Sequence, residues 1–313
     1  MKIRIATRKS ALALWQAEHV AEKLRKLTAV STVELLPLST RGDEILDRSL
    51  QKIGGKGLFI KELEVAMSEG HADIAVHSMK DVPVHMPPGF MIGAVLERAN
   101  SADALLGRNG MRLEALDAGS RIGSSSLRRQ AQLKRLRPDL KVEPLRGNVN
   151  TRLKKLQDGE YDAIVLAAAG LERLGLDEHI SQLFMPEEIL PAAAQGVLGI
   201  ECPDDRPELV ELLASLNHAT TERTTLAERA IARVFGASCQ SPVAAHALLS
   251  GTELTVTGLV ALPDGSEVLR DALCGQSSDA TELGQKLAKR MLGNGAREIL
   301  DRADAMLADS TNG

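Results

Sequence analysis

A lysine and an aspartate stand side by side in His77-Ser78-Met79-Lys80-Asp81-Val82-Pro83, directly after the apolar stretch Ile74–Val76. That stretch predicts a short buried strand, and the carboxyl ends of strands in α/β sheets face the ligand-binding edge. A carboxylate at this place can act as a general acid or base, or stabilise a developing cation. The alternative is that Lys80 and Asp81 form a surface pair before a turn that ends at Pro83.

Positive charge is concentrated in the middle of the chain. Between Arg121 and Lys155 there are eleven Lys or Arg residues and two acidic residues, Asp139 and Glu143. Several of the arginines stand where helices are predicted to begin: Arg8 before the first helix, which Ser10 can cap, Arg128 and Arg129 after Ser124-Ser125-Ser126, and Arg146 and Arg152 around a later start. Helix N-termini attract anions, and Arg binds carboxylates with two hydrogen bonds. The pattern predicts a ligand with several carboxylates or phosphates; a solvated basic helix face is the alternative.

A third candidate is Cys239, in the predicted loop Gly236-Ala237-Ser238-Cys239-Gln240-Ser241-Pro242. A loop cysteine is more often functional than a core cysteine, and His246 could serve it as a base. Cys202 and Cys274 lie in strand-like segments and are expected to be core thiols. No CxxC pair or closely spaced histidines indicate a metal site. The loop Gly54-Gly55-Lys56-Gly57 resembles a phosphate cradle only weakly, because it lacks P-loop spacing.

Composition limits the function classes further. The chain has 313 residues, of which 2% are aromatic, and a formal net charge of −4. Few aromatics and a slightly acidic balance argue against a nucleic-acid partner. The longest apolar run, Ala163–Leu171, is shorter than the roughly 20 residues that span a membrane, and Met1–Lys9 has no apolar signal region. These observations predict a cytoplasmic protein without a membrane or nucleic-acid partner.

Two α/β units and a different C-terminal region must position these residues. Strands and amphipathic helices alternate up to about residue 96, which predicts an α/β domain with a largely parallel sheet. A polar linker, Glu97–Ala102, precedes a second unit of the same layout, and the Ala- and Gly-rich Pro191–Glu201 could cross back to the first. After residue 242 three strands joined by short turns predict an antiparallel meander, followed by two helices.

Taken together, these segments resemble the porphobilinogen deaminase family, also called hydroxymethylbilane synthases. The resemblance runs in family order from residue 3 to beyond residue 240, and the Lys-Asp and Ser-Leu-Arg-Arg stretches are its most specific parts. The matching stretches are Arg4–Ser10, Gly54–Phe59, Ala75–Pro83, Ser125–Gln130, Leu145–Val149, Leu166–Leu171 and Gly236–Gln240.

The resemblance implies a fold of two periplasmic-binding-protein-like α/β domains that flank a cleft, plus a smaller α+β C-terminal domain with a three-stranded antiparallel sheet. The implied boundaries are 1–98 with 195–216, 99–194, and 217–313. It implies a transferase of tetrapyrrole (haem) biosynthesis that condenses four porphobilinogen molecules head to tail into hydroxymethylbilane with release of ammonia. It also implies a monomer with a dipyrromethane cofactor, attached through a thioether to Cys239.

The resemblance assigns roles to individual residues. Asp81 matches the catalytic aspartate that contacts pyrrole N–H groups. The positions that match cofactor-binding residues are Lys80, Asp81, Ser126, Arg128, Arg129, Arg152 and Cys239. Those that match substrate- or chain-binding residues are Arg8, Ser10, Arg146, Arg152 and Arg173. Two positions depart from the family pattern: Ser124, where Thr is commoner, and Ala194, where Gly is usual before Gln195 and where hinge flexibility could change.

The chemistry of the residues agrees with this implication. Porphobilinogen carries acetate and propionate groups, so the growing chain accumulates carboxylates that arginines can bind. Loss of ammonia leaves a cationic, electrophilic carbon that one fixed carboxylate can stabilise. Two other hypotheses stay open at this point: a non-catalytic anion-binding protein, and a cysteine hydrolase that uses Cys239 and His246.

Overall fold

The computed structural model describes residues 1–39, 60–238 and 240–312. Contacts divide the chain into two compact units: unit 1, which is Met1–Ala99 with Gly196–Glu222, and unit 2, which is Asn100–Gln195 with Arg223–Gly313. Unit 1 follows the predicted first domain closely at residues 98 and 195. Unit 2 combines residues of the second and third predicted domains, so the three-domain division stays a prediction.

Strands and helices alternate through most of the described chain. The strands are β1 (Lys2–Arg8), β2 (Thr32–Leu38), β3 (Ile74–Ser78), β4 (Phe90–Val95), β5 (Asp103–Gly107), β6 (Arg121–Gly123), β7 (Lys141–Glu143), β8 (Ala163–Ala167), β9 (Gln182–Leu183), β10 (Leu198–Pro203), β11 (Val243–Ser250), β12 (Glu253–Ala261) and β13 (Val268–Gln276). The α-helices are α1 (Ala11–Leu24), α2 (Lys61–Ser68), α3 (Leu127–Leu136), α4 (Val149–Gln157), α5 (Ala168–Arg173), α6 (Pro207–Ala214), α7 (Ala219–Phe235), α8 (Ala280–Gly293) and α9 (Ala296–Asn312).

The described part of unit 1 forms a mixed sheet in the order β2-β1-β3-β10-β4. β1 pairs in parallel with β2 and β3, whereas β10 runs antiparallel to β3 and β4. The predicted largely parallel sheet is therefore wrong in this respect, because β10 returns from far along the chain and enters between β3 and β4. Alternation in β1 buries Ile3 and Ile5, which belong to the same core as Val20 and Leu24 of α1.

Unit 2 contains a second mixed sheet in the order β7-β6-β8-β5-β9, again within the described residues. β6 pairs in parallel with β7 and β8, and β5 runs antiparallel to β8 and β9. The similar layout predicted for the two halves is confirmed. The sequence prediction missed β5, because its apolar run, Ala104–Leu106, is short and follows the acidic Asp103.

The C-terminal part of unit 2 has the predicted antiparallel meander, β11-β12-β13. Its core joins apolar side chains of the meander to those of α7, α8 and α9, including Ile231, Val256, Leu287 and Leu300. Two mixed α/β sheets and a separate three-stranded antiparallel sheet confirm the predicted fold class. Among the described helices, none combines the length and the apolar character needed to cross a bilayer.

Candidate functional site

Lys80 and Asp81 lie in a tight turn at the carboxyl end of β3. Met79–Asp81 is a single 3-10 turn that follows Ser78 directly. Met79 is buried, and its backbone N–H donates to the Val197 carbonyl at 2.9 Å. Lys80 is half-buried and Asp81 is exposed. The backbone of the turn is thus tied to the sheet, while the Asp81 carboxylate is left in contact with solvent.

A glycine on the neighbouring strand makes room for this turn. Gly199 of β10 lies opposite His77 of β3. A methyl group on Gly199 would overlap Met79 Sδ and would lie 3.0 Å from Met79 Cγ. Met79 therefore occupies the space that a side chain at position 199 would need, and it anchors the turn that carries Asp81.

Arg8 and Ser10 leave the same edge of the unit 1 sheet. β1 and β3 are adjacent and parallel, so the residues that follow their carboxyl ends are on one side of the sheet. Arg8 is half-buried. The Ser10 hydroxyl accepts a hydrogen bond from the Ala13 N–H at 3.4 Å and caps α1, as predicted. The predicted substrate-binding residues of unit 1 are therefore on the same sheet edge as Asp81.

Behind the turn, β3 and β10 share a buried pair that sequence reasoning missed. His77 Nε2 lies 2.7 Å from Glu201 Oε2, and both side chains are less than one tenth exposed. Burial raises the pKa of Glu64 on α2, and the negative charge of Glu201 adds to that effect. No local pattern could reveal this pair, because 124 residues separate its members.

In unit 2, the start of α3 is built by the predicted serines. The Ser126 hydroxyl accepts a hydrogen bond from the Arg129 N–H at 3.4 Å, which caps the helix. The Ser125 hydroxyl donates to the Leu145 carbonyl at 2.8 Å and accepts from the Leu145 N–H at 3.0 Å. These two bonds fix the loop before α3 to the loop that precedes α4.

Arg128 and Arg129 are buried and share one carboxylate, that of Asp103 on β5. Arg128 Nη1 lies 2.6 Å from Asp103 Oδ2, and Arg129 Nη2 lies 2.7 Å from Asp103 Oδ1. Arg128 also donates to the Leu190 carbonyl at 2.8 Å, and Arg129 donates to the Val165 carbonyl at 3.0 Å. The sequence prediction placed both arginines at a helix N-terminus correctly, but it did not identify Asp103 as their partner.

The group of Arg128, Arg129 and Asp103 carries one more positive charge than negative charge, which favours the binding of an anion. Burial alone would raise the pKa of Asp103, but the charges and hydrogen bonds of Arg128 and Arg129 lower it well below its usual range. Burial lowers the pKa of Arg128, and Asp103 opposes that effect. With all three side chains ionised, two positive charges face one negative charge at the N-terminus of a helix. A carboxylate of a ligand would balance the remaining charge, so the residues present fit a carboxylate-bearing cofactor.

Arg146 and Arg152 flank the start of α4. The Asn148 side chain accepts the Thr151 N–H at 2.9 Å and caps this helix. Arg152 Nε donates to the Gly147 carbonyl at 2.7 Å, and both Arg146 and Arg152 are half-buried. Gly147 has a φ of 109°, so a side chain at this position would strain the loop.

Arg173 is the last residue of α5, the helix that follows β8. Burial lowers the pKa of its guanidinium to about 10, and Glu172 partly opposes that shift. Keeping the Arg173 guanidinium charged in this partly buried position costs free energy. An anionic ligand beside it would stabilise the charge and offset part of that cost.

All predicted cationic residues of unit 2 follow three neighbouring strands. β7, β6 and β8 are adjacent and parallel, and the chain leaves their carboxyl ends into the starts of α4, α3 and α5. This edge of the sheet holds Ser126, Arg128, Arg129, Arg146 and Arg152, with Arg173 at the far end of α5. The structure therefore brings the predicted anion-binding residues at the starts of α3 and α4 to one edge of this sheet, and their role in binding stays a prediction.

Cys239 lies outside the described residues, as do Phe59 and the loop Gly54–Gly57. The described neighbours of Cys239, which are Ser238 and Gln240, lie outside α7 and β11. The Ser238 N–H donates to Ser241 Oγ at 3.0 Å, and the Gln240 N–H donates to Ser238 Oγ at 3.2 Å. The loop position of this cysteine stays a prediction.

The other candidate groups do not assemble a second site. His246 is buried in β11, with Nε2 3.1 Å from Ser101 Oγ. Cys202 is buried as predicted. Its pKa is raised to about 11, mainly by burial and to a smaller extent by the negative charge of Glu201. Cys274 is exposed, so its prediction as a core thiol is wrong: it lies on the outer strand β13. Among the described residues, no His, Cys, Asp and Glu cluster could hold a metal ion.

Two family models match the chain. One, described as porphobilinogen deaminase, dipyromethane cofactor binding domain, matches residues 3–211, and one described as porphobilinogen deaminase, C-terminal domain, matches residues 223–293. A relative from Chromobacterium violaceum is 54% identical over 299 residues, which are 96% of this chain and 97% of that protein. One from Neisseria meningitidis serogroup A is 51% identical and covers 96% of both chains. Both relatives are described as porphobilinogen deaminase.

Solved structures that match part of the chain include a BvgS domain and a periplasmic binding protein. A domain of BvgS from Bordetella pertussis has a TM-score of 0.43 at 14% identity, covering 69% of this chain and 86% of that one. The periplasmic aliphatic sulphonate binding protein of Escherichia coli has a TM-score of 0.40 at 14% identity, covering 74% of this chain and 70% of that one.

Proposed function

The chain belongs to the porphobilinogen deaminase family, and from that premise we propose that it joins four porphobilinogen molecules head to tail into hydroxymethylbilane. It is a transferase of tetrapyrrole biosynthesis with a dipyrromethane cofactor, and the proposal attaches that cofactor to Cys239. The observation that carries the assignment of its own residues is the buried group of Arg128, Arg129 and Asp103, in which two guanidiniums face one carboxylate.

The cationic residues of unit 2 would hold the carboxylates of the cofactor and of the growing chain. Arg128 and Arg129 are fixed by Asp103 at the capped start of α3, and Arg152 is fixed by the Gly147 carbonyl. Lys80 and Ser126 would add donors to the cofactor, while Arg8, Ser10, Arg146 and Arg173 would bind substrate. When bound, the dipyrromethane supplies the nucleophilic pyrrole carbon to which the first substrate ring is joined.

Asp81 would perform the charge stabilisation. When the C–N bond of the porphobilinogen aminomethyl group breaks, the bonding electron pair leaves with ammonia, and the ring nitrogen shares the positive charge that develops. An ionised carboxylate within hydrogen-bond reach of the pyrrole N–H lowers the energy of that state. Asp81 is exposed on a turn with a fixed backbone, so its carboxylate can approach the ring from solvent.

The intact mass of the denatured protein tests this proposal. We expect the wild-type mass to exceed the sequence mass by one dipyrromethane, and we expect Cys239→Ser to lack that increment while it still folds. Cys274→Ser is the matched control, because Cys274 is exposed on β13, and it should keep the increment. An active wild-type protein without added mass would exclude the covalent cofactor.

The same proposal includes a cytoplasmic monomer, which the sequence resemblance supports. Sedimentation velocity with and without porphobilinogen measures the oligomeric state, and cell fractionation measures the location. A stable dimer at micromolar concentration would contradict the first part.

A further inference from the structure

Asp103 makes more polar contacts than a single ion pair requires. Its two carboxylate oxygens meet Arg128 and Arg129 at 2.6 Å and 2.7 Å, and Oδ1 accepts a further hydrogen bond from Gln195 Nε2 at 3.0 Å. Asp103 is completely buried, and Gln195 is 1% exposed. One buried carboxylate thus sets the positions of two guanidiniums and one amide.

Gln195 connects this carboxylate to the backbone that precedes it. The same Nε2 group donates to the Ser101 carbonyl at 2.7 Å, two residues before Asp103. The preceding residue, Ala194, donates its N–H to Glu228 Oε2 at 2.6 Å, and Glu228 is also completely buried. The segment that leads to Gln195 is therefore held by the buried carboxylate of Glu228, which helps to fix the amide that orients Asp103.

We propose that Asp103, oriented by Gln195, is the positioning residue of the carboxylate-binding site formed by Arg128 and Arg129. This inference rests on the proposed function of those two arginines. The negative charge of Asp103 holds the two buried guanidiniums close together, where two like charges would otherwise repel each other. An uncharged residue of the same shape would leave that repulsion, and the arginines would no longer present their remaining N–H groups together to a ligand carboxylate.

Unit 1 contains a natural control for this arrangement. Asp73 is also buried and also binds two arginines, Arg4 at 3.0 Å and Arg206 at 2.7 Å. Its pKa is lowered as well, because hydrogen bonds from Arg4 and Arg206 outweigh burial, which acts in the opposite direction. Neither arginine belongs to the proposed site. The variants Asp103→Asn and Asp73→Asn therefore remove the same chemical group from two buried positions. The arginines that bind Asp73 are about one-third exposed, whereas those that bind Asp103 are buried.

The experiment compares these variants by intact mass, by thermal unfolding and by steady-state kinetics with porphobilinogen. Both variants should unfold at lower temperature than the wild type. Only Asp103→Asn should load the dipyrromethane slowly, by about tenfold or more, because misplaced binding groups lose most of their effect. Its loaded fraction should also show a higher KM with a smaller change in kcat. Asp73→Asn should load within about twofold of the wild type, since it disturbs no group in contact with the ligand.

Two results would overturn the inference. One is a folded Asp103→Asn variant that loads as fast as the wild type; the other is equal loss of loading in Asp73→Asn. If Asp103→Asn does not fold, Gln195→Met decides, because it keeps the volume and the charge but removes the donor, and normal loading of that variant refutes the role of Gln195. A wild-type protein that carries no added mass refutes the proposed function itself, so the two failures are distinguishable.

Discussion

Replacing Gly199 by Ala tests whether the Met79 anchor positions Asp81. The new methyl group would overlap Met79 Sδ, and Met79 is 2% exposed, so its side chain cannot move aside into solvent. Overpacking of this kind costs about 1–3 kcal/mol. A loss of about 1 kcal/mol in unfolding free energy lowers the unfolding midpoint of a domain of about 100–150 residues by about 4 °C. The midpoint of the variant should therefore fall by about 4–12 °C.

The same change should lower turnover, because Met79 and Asp81 share one 3-10 turn. We expect about a tenfold or greater loss of kcat at a temperature where the variant is fully folded, since small displacements of a catalytic group are costly. The assay is hydroxymethylbilane formation, measured beside thermal unfolding.

Gly258→Ala is the control for this experiment. Gly258 also lies on a strand, and a methyl group there would meet Met291 Sδ at 2.9 Å, in the C-terminal sheet. It should lower the unfolding midpoint and leave kcat unchanged. Wild-type turnover in a folded Gly199→Ala variant would refute the anchoring role of Met79, and wild-type stability would refute the packing argument.

Three further predictions concern charge. Asp81→Asn should lower kcat by about 100-fold or more and leave the unfolding midpoint unchanged, because Asp81 is exposed and its carboxylate acts on the developing cation. Arg128→Ala should cost about 3 kcal/mol in the free energy of unfolding, since it leaves Asp103 buried with one guanidinium. Arg173→Gln should cost less, because burial disfavours the charge of Arg173. Both variants should bind porphobilinogen or the growing chain more weakly. The folded-state pKa of Asp103 lies below its unfolded value of about 3.9, so its stabilising effect is present above that pH and is lost as the pH falls toward the folded pKa. The unfolding midpoint of the wild type should therefore fall more steeply below about pH 4 than that of Asp103→Asn.

Each of these has a measurement that can contradict it. Near-normal turnover in Asp81→Asn would remove its catalytic role, with Asp81→Glu as the control that keeps the charge. Urea unfolding separates the two arginine variants, and equal losses of stability would contradict the electrostatic argument. Parallel midpoint curves between pH 5 and pH 2 would show that Asp103 does not keep its charge in the folded protein.

Local features of this protein could be predicted from its sequence. Ser10 and Ser126 cap the helices that were expected to follow them, because a cap depends on residues within one turn. The meander after residue 242 was also predicted, because its short turns contain Gly, Pro, Asp and Ser, which favour turns. The serine cap before α3 also predicted that Arg128 and Arg129 lie in the first turn of that helix.

Long-range pairings could not be predicted in the same way. Asp103 meets Arg128 across 25 residues, and His77 meets Glu201 across 124. Neither pair has a spacing that distinguishes it from chance, and the strand that carries Asp103 is too short to be recognised by its pattern. The antiparallel pairing of β10 with β3 and β4 likewise depends on the whole sheet, so no local sequence pattern predicts it.

One departure from the family pattern acquires a physical explanation. Ala194 has a φ of 59°, in the left-handed region that glycine occupies freely. An alanine there costs about 1–2 kcal/mol, which is a physical reason for the glycine that the resemblance implies at this position. The buried hydrogen bond from its N–H to Glu228 helps to hold the backbone in that conformation.

The place of β10 in its sheet has a consequence for the order in which the protein can fold. β10 separates β3 from β4, yet it follows β4 by about 100 residues in the chain. At about 5–20 residues per second, a ribosome needs at least several seconds to supply it, and in that time β3 and β4 each expose an unpaired edge. The strands of the second mixed sheet, β5 to β9, are contiguous in the chain, so that sheet can close first. Newly made unit 1 thus carries unpaired strand edges, which favour aggregation, until β10 has been synthesised.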